Sequence, residues 1–346
     1  MEFKKIYTHE LEACYALERI QNDTSDYILV ASELDKPCYA FDLNNNFEKI
    51  DVWPNIGGTM TIVHIPGTLN FLATQCFYPG FNSLNCRIVK GSFNGHDWDI
   101  KFIADFPYLH RFDLVDLGDD RYHFIGCTIA NSKKDSEDWN DPGKIFVGIY
   151  DDTESTLKDI QTLKTRITMN HGYRSVKEHG FSLITGKEGI FKLAYPKADE
   201  RDSEWKVTKI FSQETSDIAY TDINGDGEDE YLIIQGFHGD ELKLYDYSFK
   251  TNFYTYSQKT PFGHAIWGGK LMGEPHFIFG YRSGSGNLFS LLMTPEGKIV
   301  EQMIERHVGP SNILIFNKDG KQFLASANHA VNEFAVYEIT NGGMEE

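Results

Sequence analysis

Histidines recur at corresponding places along this 346-residue chain, and their spacing is its most chemical feature. Short apolar runs repeat, most of them introduced by a turn glycine. Counting back eight or nine residues from Gly67, Gly118, Gly180, Gly225, Gly273 and Gly320 reaches Gly58, His110, His171, Asp217, His264 and Ser311. Neutral imidazoles with a carboxylate are the ligand set of zinc, manganese or iron. His110, His171, His264 and Asp217 are therefore candidate ligands of a divalent transition metal. The segments after the apolar runs bring Gln75, His238, Arg282 and His329. Arg282, beside Ser283-Gly-Ser-Gly286, could neutralise an enolate or grip a carboxylate. The alternative is a polar, water-filled channel that binds no metal. Phe77, Tyr78, Tyr173 and Trp267 stand near the same places and could stack on sugar rings or simply fill the core.

A second candidate cation site is the acidic loop Asp222-Ile-Asn224-Gly-Asp226-Gly-Glu-Asp-Glu230. Asp222, Asn224, Asp226 and Glu230 occupy loop positions 1, 3, 5 and 9, and two glycines permit a sharp turn. Calcium takes six to eight oxygens at about 2.3–2.6 Å, which alternate residues of a tight turn can supply. The competing reading is an Asx-type turn whose carboxylates accept backbone N–H groups.

The elements that would position these residues are short strands. Tyr27-Ile-Leu-Val-Ala-Ser, Phe71-Leu-Ala-Thr-Gln, His123-Phe-Ile-Gly-Cys, Phe181-Ser-Leu-Ile-Thr, Tyr231-Leu-Ile-Ile-Gln, His276-Phe-Ile-Phe-Gly and Phe323-Leu-Ala-Ser-Ala make seven copies, about 44 to 58 residues apart. A further strand candidate precedes each and two follow, the pattern of propeller blades. The last repeat is one strand short, and Phe3-Lys-Lys-Ile-Tyr can supply it, closing the ring without an open edge. The expected fold is all-β: a seven-bladed β-propeller closed by an N-terminal strand, with residues 1–346 as one domain. Two β-sandwiches are the alternative. The third repeat carries a polar insertion, Asn131 to Gly143, and residues 152–166 fit a short helix nearly as well as a strand.

Lys and Arg number 33 against 51 Asp and Glu, a net charge of −18, so nucleic acid is an unfavourable partner. There is no run of eighteen apolar residues to span a membrane. The first ten residues lack the apolar core of a signal peptide, and the five cysteines form no CxxC pair, so a reducing, cytoplasmic setting is expected. Nothing in the chain signals an oligomeric state.

The acidic loop and the apolar strand Tyr231-Leu-Ile-Ile after it resemble the calcium-type loop of FG-GAP and VCBS propeller repeats. A seven-bladed propeller with such a loop and channel-facing histidines resembles the propeller of aldos-2-ulose dehydratase and related sugar lyases. That resemblance implies a metal-assisted lyase, dehydratase or epimerase acting on a small carbohydrate, with a carbonyl polarised by the metal and His238 or His329 as the base that removes the adjacent proton. A noncatalytic propeller that binds a protein or glycan is the other functional class.

Overall fold

The computed structural model describes residues 1–78, 83–196 and 204–342. Among the described residues, twenty-eight strands form seven four-stranded antiparallel sheets, one per blade. After β1 (Glu2–Glu10), blade 1 comprises β2 (Cys14–Gln21), β3 (Asp26–Ser32), β4 (Cys38–Asp42) and β5 (Glu48–Trp53). Blade 2 comprises β6 (Ile62–His64), β7 (Phe71–Gln75), β8 (Arg87–Phe93) and β9 (Trp98–Asp105). Blade 3 comprises β10 (Leu109–Gly118), β11 (Arg121–Thr128), β12 (Gly143–Asp151) and β13 (Thr156–Ile167). Blade 4 comprises β14 (Tyr173–Val176), β15 (Phe181–Gly186), β16 (Gly189–Ala194) and β17 (Lys206–Phe211). Blade 5 comprises β18 (Thr215–Thr221), β19 (Glu230–Gln235), β20 (Glu241–Tyr245) and β21 (Asn252–Thr255). Blade 6 comprises β22 (Gly263–Leu271), β23 (Glu274–Tyr281), β24 (Leu288–Met293) and β25 (Ile299–Glu305). Blade 7 comprises β26 (Pro310–Lys318), β27 (Lys321–Asn328) and β28 (Glu333–Thr340), with β1 as its outermost strand.

The seven apolar runs are the second strands β3, β7, β11, β15, β19, β23 and β27. They are deeply buried because both faces pack against neighbouring blades, as the burial of Ile28 to Ala31, Phe124, Phe277 and Phe279 shows. The turn glycines lie in the hairpins leading into them. Met272 and Gly273, with φ of 49° and 94°, form a two-residue connection of the twisted-hairpin type, where glycine is favoured for its left-handed backbone. Residues 152–166 run into the edge strand β13, with no helix; pairing with β12 supplies their backbone hydrogen bonds. The Asn131–Gly143 insertion joins β11 to β12.

The ring closes as the sequence predicts. β1 pairs antiparallel with β28 from Glu2 opposite Thr340 to Glu10 opposite Glu333. Lys5 adds ion pairs to Glu305 at 2.6 Å and Glu333 at 3.0 Å, tying the first strand to blades 6 and 7. Removal of residues 1–10 strips the cover from β28 and exposes its edge. The truncated protein should melt well below the full chain, by more than about 5 °C, or self-associate, measured by calorimetry and sedimentation.

Candidate functional site

Each blade's inner strand starts on one face, called upper here, and runs down the central channel. In β2, β10, β18, β22 and β26 the pairing with the second strand slips by one residue near this start. The slipped residues are Tyr15, His110, Ser216, His264 and Ser311, and such a bulge re-aims a side chain out of the ladder. Met60 and His171 stand at the corresponding places of blades 2 and 4, just ahead of β6 and β14. The result is a tier of seven side chains across the channel, of which three are histidines.

His171, His264 and His238 bring one ring nitrogen each to within 4.8 Å of one another. His171 Nε2 lies 3.2 Å from His264 Nε2, close to the ~3.4 Å separating two nitrogens bound tetrahedrally to one zinc. His264 donates its Nδ1–H to the carbonyl oxygen of Ser311, which leaves Nε2 with its lone pair facing the cluster. The Tyr15 hydroxyl donates to that same Nε2 at 3.2 Å. His171 Nδ1 is buried without a hydrogen-bond partner, and the Asp217 carboxylate stands 3.8 Å behind it. Gly172 makes room for this arrangement, since a Cβ there would lie 2.5 Å from Asp217 Oδ1. His238 comes from the β19–β20 connection and has a strained φ of 46°. Its N–H donates to Ser216 Oγ, and its ring is stacked between Phe237 and Phe262 at 4.2 and 4.1 Å.

Burial holds the imidazoles neutral. It pushes His110, His171 and His264 well below the usual histidine range, with neighbouring histidines and Arg111 or Arg282 adding to the effect. His238 falls to about 3, through burial first and the Arg282 charge second. All are therefore neutral imidazoles at neutral pH.

Above the cluster lies a pocket of about 220 Å³ walled by Phe77, Tyr78, Phe237 and Phe262, with Glu33 and Arg282 as its charged groups. Arg282 donates to Glu33 at 3.0 Å and to His329, and His329 Nε2 lies 2.8 Å from Glu33. Glu33, though removed from water, is held below the usual carboxylate range by His329 and Arg282. The insertion reaches this site: Trp139 packs edge-on against Phe237 at 5.2 Å.

The predicted residues are thus partly regrouped. His171 and His264 meet, but the third member is His238, expected as a base. His110 stands beside His171, ring centroids 5.1 Å apart, outside the group of three. Asp217 is one residue deeper than Ser216, beneath the histidine tier. Gln75 is buried and accepts hydrogen bonds from Arg87. Tyr173 lines a lower cavity, and Trp267 packs beside a core cluster of blades 6 and 7. Tyr15 and Glu33 were not legible. Blade 1 turns through Asn22–Ser25 without a glycine, so the count that found the histidines had no origin there.

The acidic loop connects β18 to β19 on the opposite, lower face. Asp222 accepts backbone N–H groups from Gly225, Asp226 and Gly227 at 2.7 to 3.0 Å. Asn224 and Asp226 accept from Asp226 and Glu228, and Glu230 accepts from Ile223. The loop closes as Asx turns, and a calcium ion would have to displace these N–H groups. Burial, with Asp226 and Asp222 nearby, raises the Glu230 carboxyl to about 7.

Among solved structures, the chain is similar to the WD40 β-propeller domain of Doa1, with a TM-score of 0.58 and 10% identity over 98% of this chain and 97% of that one. At that identity the likeness establishes the seven-bladed architecture. No family model and no curated protein matches the chain.

Two outcomes follow. In metal-stripped protein, the folded state refuses protons that unfolded histidines accept below about pH 6.5. Stability should therefore fall as pH drops through that value, and for His238 the fall continues to about pH 3. His238→Phe should flatten the dependence of unfolding free energy by up to about 1.4 kcal/mol per pH unit, read from denaturant titrations at pH 4 to 7. In the loop, Asp222→Ala should cost about 1–2 kcal/mol and Asp226→Ala less, because Asp222 holds three N–H groups and Asp226 one.

Proposed function

We propose that the upper pocket holds a divalent transition metal (zinc, manganese or iron) on His171, His238 and His264, and acts there on a small carbohydrate carbonyl compound as a lyase, dehydratase or epimerase. The observation that carries this reading is the convergence of three neutral imidazole nitrogens within 4.8 Å, two of them on buried rings and the third, His238, on a half-buried one. Three protein ligands with a position left for substrate is the pattern of catalytic rather than structural sites. Metal binding would leave His171 with its proton on Nδ1, facing Asp217, which then orients the ring as a second-layer carboxylate does.

When bound, the metal supplies Lewis-acid polarisation of a substrate carbonyl, which makes an adjacent C–H acidic. Phe77, Tyr78, Phe237 and Phe262 offer flat apolar walls to a sugar ring and exclude water, and about 220 Å³ suits a single monosaccharide. Glu33, kept ionised at the pocket wall by the His329 ring N–H and the Arg282 guanidinium, takes the proton from carbon. The Arg282 guanidinium steadies the negative charge left on the substrate oxygen. Expulsion of a neighbouring hydroxyl, which leaves as water with the proton Glu33 has taken up, completes a dehydration; an epimerisation would take its new proton from a separate donor on the opposite face.

The binding-scaffold reading draws support from two apolar residues exposed on the upper face, Leu84 at 61% and Val331 at 48%. It requires no metal. A cytoplasmic setting is supported by the five cysteines, none of them disulfide-bonded and four of them buried. No helix among the described residues is long and apolar enough to cross a membrane. Calcium in the Asp222–Glu230 loop, the FG-GAP and VCBS trait, rests on sequence pattern alone.

Elemental analysis after reconstitution should find one transition metal per chain. His171→Ala and His238→Ala should lose it, and His179→Ala, on the lower face, should not. Glu33→Gln should keep the metal and lose α-proton exchange, followed by proton magnetic resonance in deuterated water over a panel of ketoses. A wild-type protein that takes up no metal, or equal loss in His179→Ala, leaves the scaffold reading standing.

A further inference from the structure

Beneath the histidine tier the channel widens into a second cavity of about 500 Å³, lined by side chains from β2, β6, β10, β14, β18, β22 and β26. It opens toward the lower face, where Pro66 and Lys177 lie in connections between first and second strands. His264 lines both cavities and forms part of the partition between them.

Two guanidiniums face this lower cavity with no carboxylate within ion-pair distance among the described residues. Arg111 donates from Nε to the His171 carbonyl at 2.9 Å and from Nη1 to the Met60 carbonyl at 2.8 Å. Arg174 donates from Nη2 to the Ile266 carbonyl at 3.0 Å, and its buried Nε–H has no partner. Neutral carbonyls therefore fix the orientation of both cations. The carboxylates of the same cavity are otherwise disposed. Asp113 is paired with Lys177 at 3.2 Å. Asp217 accepts the Ile218 N–H and faces His171; burial raises its carboxyl, and the charges of Arg174 and Arg111 partly offset that. Burial, reinforced by Asp113, raises the Glu18 carboxyl to about 8, so that at neutral pH it is mostly an uncharged donor. In a chain of net charge −18, two half-buried guanidiniums are oriented into one cavity, with Asp217 near both but ion-paired to neither, and present fixed positive charge to an anionic ligand.

We infer that the lower cavity is a binding site for the oxyanion of a small metabolite, a carboxylate or a phosphate, held by Arg111 and Arg174. Asn312 and Ser175 line the same cavity and offer neutral hydrogen-bonding groups to the rest of such a ligand. Lys177, exposed at the lower opening, gives the approaching anion a first positive charge. The guanidiniums lie below the histidine cluster, and the inference holds whether or not that cluster carries a metal.

The test is calorimetric titration of metal-stripped, chelator-treated protein with inorganic phosphate, succinate, citrate and glucuronate at pH 7 and low salt. Saturable binding of at least one of them is expected. Phosphate alone would assign a phosphorylated ligand, and carboxylates alone a carboxylate ligand. Arg174→Gln should weaken that binding by about tenfold or more, the loss of one charge-assisted contact. His238→Phe, in the upper pocket, should bind the anion as wild type does. Because Arg111 also holds two backbone carbonyls, Arg111→Gln is read only alongside its melting curve, with Arg174→Gln as the deciding variant. Absence of saturable binding up to 10 mM (about a 10⁻² M ceiling for a weak site), or equal affinity in folded Arg174→Gln, overturns the inference. So does binding that His238→Phe abolishes, which would place the anion in the upper pocket.

Discussion

Pairing of β1 with β28 joins the two ends of the chain, and the placement of every inner strand around the channel follows from that closure. A propeller blade buries both faces of its sheet only against its neighbours, so the stack is stable when it has no first and last member. Eight register pairs between residues 2–10 and 333–340 remove that boundary. Once the ring is shut, the starts of the seven inner strands are fixed relative to one another, though they lie tens of residues apart in sequence. The 3.2 Å approach of His171 to His264, across 93 residues of chain, depends on that long-range constraint.

The second determinant is a one-residue slip at the start of the inner strands. A regular ladder would turn these side chains into the blade interfaces, where imidazoles would be poor filling beside Phe and Ile. The slips at Tyr15, His110, Ser216, His264 and Ser311 turn them toward the axis instead. There, burial keeps the histidines neutral, and carbonyl or hydroxyl partners such as Ser311 and Tyr15 fix individual ring nitrogens. The strained backbone of His238 and its two stacking phenylalanines belong to the same economy of position: rigidity in the surroundings holds the ring where it meets the other two.

Much of this was legible in the sequence because it is periodic. The seven second strands, their turn glycines and the closing strand all carry local signals, namely β-branched and aromatic runs, left-handed turns and a missing element at the far end. His171 and His264 were found by that period. Asp217 was set one place too high, because hairpin lengths vary by a residue and a bulge changes the register without changing the composition. Tyr15 escaped because its blade turns without glycine. Glu33, Arg111 and Arg174 carry no local signal at all. Their roles come from what lies across the channel, such as the carbonyls of His171 and Met60 for Arg111, and no spacing rule reaches across blades.

Arg111 has a consequence for how the two cavities behave toward each other. Its guanidinium grips the backbone carbonyl of His171 from below, while the ring of the same residue belongs to the cluster above. Asp217 likewise faces His171 from the lower side. A positive charge held by the upper imidazoles and a negative charge held by the lower guanidiniums would therefore act on one shared residue across a water-poor partition. Free energies of this kind are reciprocal: whatever occupancy above does to affinity below, occupancy below does to affinity above, by the same factor. The propeller axis would then behave as a two-terminal device, in which ligands that never touch and enter from opposite faces still sense each other through the orientation and charge of His171.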